Sequence, residues 1–252
     1  MKLRIWADEP DTLMEVESGT LDRLGRCRET EHYVLRYAAG SLAEREIEAI
    51  VSLQERAYER LVDLFGFEMP QRIEYLLTDS PEANVQALSE LFHMEPCPAN
   101  GLSIGPNYVL GAYCDEAKAV GAHEVAHLFS YQLCMPRTEL LSEGLAMYAD
   151  GSFWGKPNED WVREFLRKDA YVSVRELASD ERFYAYPSEI TYPIAGAFVG
   201  FLLERLDKER FLKEVYPSDT PLFETLSRLF GTPAEAVEER FVQTMKEDRH
   251  GR

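Results

Sequence analysis

His123-Glu124-Val125-Ala126-His127 is followed, 16 positions on, by Glu143 within Leu140-Leu-Ser-Glu-Gly-Leu-Ala-Met-Tyr148. On a helix, residues four apart share a face, with Cβ atoms roughly 5–6 Å apart. Two imidazoles at that spacing predict a shared metal ion, tetrahedral zinc at ~2.0–2.1 Å from each ring nitrogen. Glu124 is turned about a third of the way round from His123, given ~3.6 residues per turn. It reaches water on the ion without being a ligand. A metal that does chemistry needs a third protein ligand and one open position. Glu143, on a second helix-like stretch, is the natural third ligand, and Met135-Pro136-Arg137-Thr138 supplies the turn that brings it back. The bland alternative is two surface histidines on an acidic helix, with no metal.

Upstream of this stretch, strand and helix patterns alternate. His32–Tyr37 reads as a strand from its aromatic and β-branched residues. Ser41 with Glu44 makes a capping box for a long helix whose Ile47, Val51, Leu53, Tyr58, Leu61, Val62 and Phe65 recur on one buried face. Arg72–Thr78 is a second strand, and Ser80-Pro81 opens another helix with proline in its first turn. Gly101–Cys114, interrupted by Gly105-Pro106, predicts two short strands, and Asn107–Cys114 offers an edge for an extended peptide. Asp115 is expected to cap a helix running without proline to Cys134. Downstream the chain reads as helical, with starts near Leu140, Glu159, Val172, Pro193, Lys208, Pro221 and Pro233. Thr232-Pro233-Ala234-Glu235 has the form of a second capping box. The expected division is an α+β part over 1–134, ending in the motif helix, and a helical part over 135–252, with the active-site cleft between them.

The composition bounds what such a site serves. The chain has 252 residues, 45% of them hydrophobic and 29% charged, enough for a sizeable core without disulfides or structural metals. Lysine and arginine number 27 against 45 aspartate and glutamate, giving −18. Such a surface repels a phosphate backbone and anionic membranes, so neither nucleic acid nor membrane is expected as a partner. Solubility explains the excess of acids more simply than steering of cationic substrates does. Cys27, Cys97, Cys114 and Cys134 form no CxxC pair. With no signal-peptide pattern in MKLRIWADEPDTL, a cytoplasmic, thiol-reduced protein is expected.

HEVAH followed by LLSEGLAMY resembles the gluzincin branch of zinc peptidases, and is most similar to small peptidase-MA-like proteins with a thermolysin-type catalytic core. The likeness runs over most of 31–215, and its specific motifs lie at 123–148. It implies a zincin-like α+β fold and a zinc-dependent hydrolase, a metalloprotease acting on a peptide or protein substrate. In that reading His123, His127 and Glu143 hold Zn2+ and Glu124 is the general base. Thr191-Tyr-Pro-Ile-Ala-Gly-Ala-Phe-Val-Gly-Phe-Leu202 resembles the segment in which a tyrosine at a helix start donates to the transition state. Proline disfavours the α region for the residue before it, so Tyr192 is also expected to cap a helix beginning at Pro193. A packing tyrosine is the alternative there, and Tyr184 and Tyr186 flank the same loop. Asp150, two turns past Glu143, either bonds a ligating imidazole or is a solvated carboxylate. No Gly-x-Met-Glu-Asn-like segment precedes HEVAH, so anchoring of a substrate amino terminus is not implied. The alternative function is a metal-binding but catalytically silent regulatory or interaction module.

Overall fold

The computed structural model describes residues 3–6, 13–16 and 19–247, and the chain divides into two compact units, Met1–Phe129 and Ser130–Arg252. The class is α+β. In the first unit, β1 (Leu3–Trp6) pairs antiparallel with β2 (Leu13–Val16), and α1 (Gly19–Arg23) follows. The main sheet comprises β3 (Arg26–Glu29), β4 (Tyr33–Tyr37), β5 (Ile73–Thr78), β6 (Gly101–Ile104) and β7 (Tyr108–Ala112), in the order β3-β4-β5-β7-β6. Its centre, β4-β5-β7, is parallel, and an antiparallel strand closes each edge. Parallel neighbours need long crossovers, which α2 (Leu42–Phe65) and α3 (Pro81–Phe92) supply. Strands covered on both faces read as continuous apolar runs, and every residue of β7 is buried.

Local signals set the ends of the crossover helices. Ser41 Oγ accepts from the Glu44 amide at 3.0 Å, while the Glu44 carboxylate accepts from the Gly40 amide at 2.6 Å. The box is therefore closed one residue earlier than its standard form. Gly66 ends α2 at φ 81°, and Ser80 caps α3 with Pro81 in its first turn. Leu76, Ala87, Leu88, Leu91, Tyr108 and Leu110 bury together, with Leu102 and Ile104 of β6 packed against them.

Helix α4 (His123–Leu133) starts seven residues later than a cap at Asp115 suggests. Residues 115–122 instead fold back onto β7, with Tyr113 bridged to Lys118 and the Ala119 amide donating to Ala112 at 2.9 Å. Gly121 then takes φ 124°, a region that excludes continuous helix. The edge strand also differs from expectation. β7 lies between β5 and β6, so among the described residues the edge strand is β6.

The second unit holds α5 (Glu139–Asp150), a short hairpin of β8 (Ser152–Phe153) and β9 (Lys156–Pro157), α6 (Asn158–Arg167), α7 (Val174–Leu177) and α8 (Asp180–Phe183). It continues with α9 (Ser188–Leu206), α10 (Lys208–Arg210), a π-helical turn at Phe211–Val215, α11 (Leu222–Phe230) and α12 (Ala234–Lys246). A helix apolar all round belongs in a core, and α9 buries every residue from Pro193 to Leu203. Phe198, Phe201 and Phe241 meet there at ring distances of 5.2–6.3 Å. Pro193 lies inside α9 rather than at its start. The helix begins after Pro187, which takes the N-cap position with an extended ψ of 145°. Pro193 forfeits one bond near the helix start, toward the exposed Glu189, where water can replace it. Pro233 likewise occupies the N-cap of α12 with no side-chain cap, and Glu235 pairs with Arg175 at 2.8 Å. Among the described residues no helix is long and apolar enough to cross a membrane.

Candidate metal centre

The orientation of α4 is set from its buried side. Val125, Ala126, Leu128 and Phe129 are inaccessible, and Phe129 packs on Tyr58, Phe65 and Phe67 at 5.3–5.5 Å. Just before the helix, the Gly121 amide donates to the fully buried Gln54 side chain at 2.6 Å. Both constraints leave His123 and Glu124 half-buried and His127 nearly covered, at 7% exposure. The two imidazoles have ring centres 5.1 Å apart and stand at 84° to each other, which fits two donors on successive turns of one helix face.

Glu143 is carried by α5, which Thr138 caps by accepting from the Leu141 amide and Gly151 ends at φ 81°. The next residue explains the Glu-Gly pair in the sequence. A Cβ on Gly144 would lie 2.7 Å from Val199 Cγ2 and 2.8 Å from the Ala195 carbonyl, so α5 and α9 approach closely only because glycine stands there. One nitrogen from each of His123 and His127 and one oxygen from Glu143 all lie within 4.8 Å of one another. Among the described residues no other trio of histidine, cysteine or carboxylate groups gathers so. A donor set of two imidazoles and one carboxylate is the kind that holds catalytic zinc, and the residues present fit that ion.

Glu124 has partners that its sequence neighbourhood does not announce. Ser103 Oγ on β6 lies 2.8 Å from Glu124 Oε2 and 2.7 Å from the Glu124 carbonyl oxygen. Beside it, a Cβ on Gly101 would fall 2.4 Å from Glu124 Oε1. The strand alternation that turns Leu102 and Ile104 toward α3 turns Gly101 and Ser103 the other way. That alternation was readable in Gly-Leu-Ser-Ile, but its target on α4 was not.

The remaining residues separate by place. Tyr192 is half-buried in α9, its ring 6.4 Å from Phe153 and 6.0 Å from Phe183. Being inside the helix, it does not cap it. Tyr192 lies one turn before Ala195, whose carbonyl touches the Gly144 position beside Glu143. Tyr184 is 66% exposed, and its phenol is held above the ordinary range by local desolvation, then by Glu139 and Glu143. Tyr186 donates to Glu176 at 2.7 Å and belongs to an ion-paired turn with Arg182. Asp150 closes α5 in a half-buried position. His32 bonds Glu55 at 2.6 Å and stacks on Tyr58 at 3.9 Å, and His93 ends α3 in the left-handed region. No protein-family model and no curated protein matches the chain.

Proposed function

We propose that this chain is a zinc-dependent hydrolase of the gluzincin kind, most simply a peptidase. One observation carries the reading: the donor atoms of His123, His127 and Glu143 gather within 4.8 Å, and Glu124 follows His123 on the same helix. A zinc ion held by those three residues would polarise a carbonyl and bring the pKa of bound water from 15.7 to ~7. Glu124 then accepts the proton of the attacking water and returns it to the leaving amine. Its neighbour suits both states. Toward the carboxylate Ser103 donates, and toward the protonated acid it accepts while donating to the Glu124 carbonyl. Tyr192, fixed by two aromatic neighbours, is the proposed donor to the tetrahedral oxygen. The open edge of β6 beside Glu124 suits an extended peptide, which pairs with a strand edge through its main chain. A zincin-like arrangement and a cytoplasmic location accompany this reading, the latter supported by four free cysteines.

Metal analysis of protein purified without chelator tests it directly. The expected result is near one zinc per chain, lost in Glu143→Ala and kept in Glu124→Gln. Glu124→Gln should also lower hydrolysis of an internally quenched peptide library by about 10²–10⁴-fold. A parent protein without zinc, or a Glu143→Ala variant that binds it as tightly, would overturn the assignment.

A further inference from the structure

We infer that Ser103 is a positioning residue for Glu124, and that Gly101 is the floor on which the Glu124 carboxylate lies. The inference deepens the proposed function and rests on it for the role of Glu124. Its geometry stands independently.

Residues two apart on a strand share a face, so Gly101 and Ser103 present one surface of β6 together. The opposite surface fixes which way they point. Leu102 and Ile104 pack against the cluster of α3, and a one-residue slip would exchange the two faces. β6 is registered on β7 with Ser103 opposite Val109 and Leu102 opposite Leu110. The packing of the partly buried Leu102 and Ile104 therefore aims a hydroxyl and a bare Cα at helix α4.

What meets them is one residue. All three nearest atoms to a Cβ built on Gly101 belong to the Glu124 side chain, at 2.4, 2.9 and 2.9 Å. Any larger residue would displace that carboxylate. Gly101 has no left-handed φ, so its backbone does not call for glycine. A side chain there would have to push the Glu124 carboxylate from its place. Ser103 adds direction. Its single hydroxyl proton has two acceptors within 2.8 Å, and both belong to Glu124. An exposed glutamate on a helix has three freely rotating side-chain torsions. One hydroxyl and one flat contact together restrict it to a single place, as hydrogen-bonded partners around a reacting group do.

The test uses the 252-residue chain and two readouts. In the activity arm, Ser103→Ala and Ser103→Thr are compared on an internally quenched peptide library, with zinc content measured alongside. Ser103→Ala should lower kcat about 10–100-fold, the usual effect of losing such a partner. KM should stay within about twofold and zinc content should not change, because uniform binding is untouched. Ser103→Thr, which keeps the hydroxyl, should recover most of kcat. Unchanged kcat in Ser103→Ala, or no recovery in Ser103→Thr, overturns the positioning role.

The second arm needs neither metal nor substrate. Gly101→Ala should lower Tm by about 2–4 °C in the parent, the shift that ~1 kcal/mol gives in a chain of this size. In a Glu124→Ala background the same substitution should cost almost nothing, since the atoms it meets are gone. An equal cost in both backgrounds removes Glu124 as the reason for the glycine. If the zinc reading fails while this coupling holds, the contact is real and its catalytic use is not.

Discussion

Gly144 shows how one residue ties a candidate ligand to the packing around it. Its missing side chain lets the Ala195 carbonyl come against α5, and Glu143 is fixed by the helix turn that this contact holds. Tyr192 stands one turn away on α9, with its ring clasped between Phe153 and Phe183. Tyr192→Phe keeps that ring and removes only the hydroxyl. Turnover should fall about 10²-fold, as for loss of one oxyanion donor, with zinc content and Tm unchanged. The comparison variant is Tyr184→Phe, whose phenol leans on Glu139. It should change turnover by less than about threefold, well below the cost of an oxyanion donor. If Tyr184→Phe gave the larger loss, the two tyrosines would exchange roles.

At the level of elements, α6 is tied to the β8–β9 hairpin by charge. Glu164 takes Lys156 on one oxygen and Lys168 on the other, and Lys156 also lies 4.1 Å from the Trp161 ring centre. Lys156 first and Lys168 second hold the Glu164 carboxyl down to about 2, against an ordinary 4.5. A depressed carboxyl stabilises the fold above its unfolded pKa. That contribution is lost as the pH falls from about 4.5 toward about 2. A carbon-detected NMR titration should find the Glu164 midpoint near 2, and Lys156→Met should move it up more than Lys168→Met does. A midpoint near 4.5 would mean the pairs do not persist in solution.

The elements also mark where sequence reasoning holds. Ser41 with Glu44 was legible because a capping box is closed within a few residues, and so was the His123–His127 spacing. Thr232-Pro233 misled because Pro233 itself takes the extended cap position, leaving Thr232 outside. Pro193 misled because its local bias is weaker than the burial of an entire helix. The loop 115–122 was hidden by its fold-back onto Ala112, which no helix signal announces, and by Gln54, 67 positions away from Gly121. Ser103 reaches Glu124 across 21 positions, and no local pattern announces such a partner.

For the molecule as a whole, the balance of 27 basic against 45 acidic residues sets a self-repulsion of −18 charges. Repulsion of this kind opposes the compact state. It acts over ~30 Å at 0.01 M salt and only ~8 Å at 0.15 M. Tm at neutral pH should therefore rise by a few degrees over that range of sodium chloride. A falling Tm would show that the surface ion pairs, which salt also screens, outweigh the net repulsion.

The strand β6 carries one more implication. A sheet edge left open invites a second copy of the same chain, and edge-to-edge growth is how folded proteins begin to polymerise. Here the open edge is four residues long, Gly101–Ile104, and Pro106 follows with no amide hydrogen to extend it. The opposite edge, β3, is equally short and carries Arg26, Arg28 and Glu29. Neither border is long enough to template fibres, yet four residues suffice to grip one passing strand. Concentrated solutions should stay free of thioflavin-positive aggregates while the same edge remains open to a short peptide.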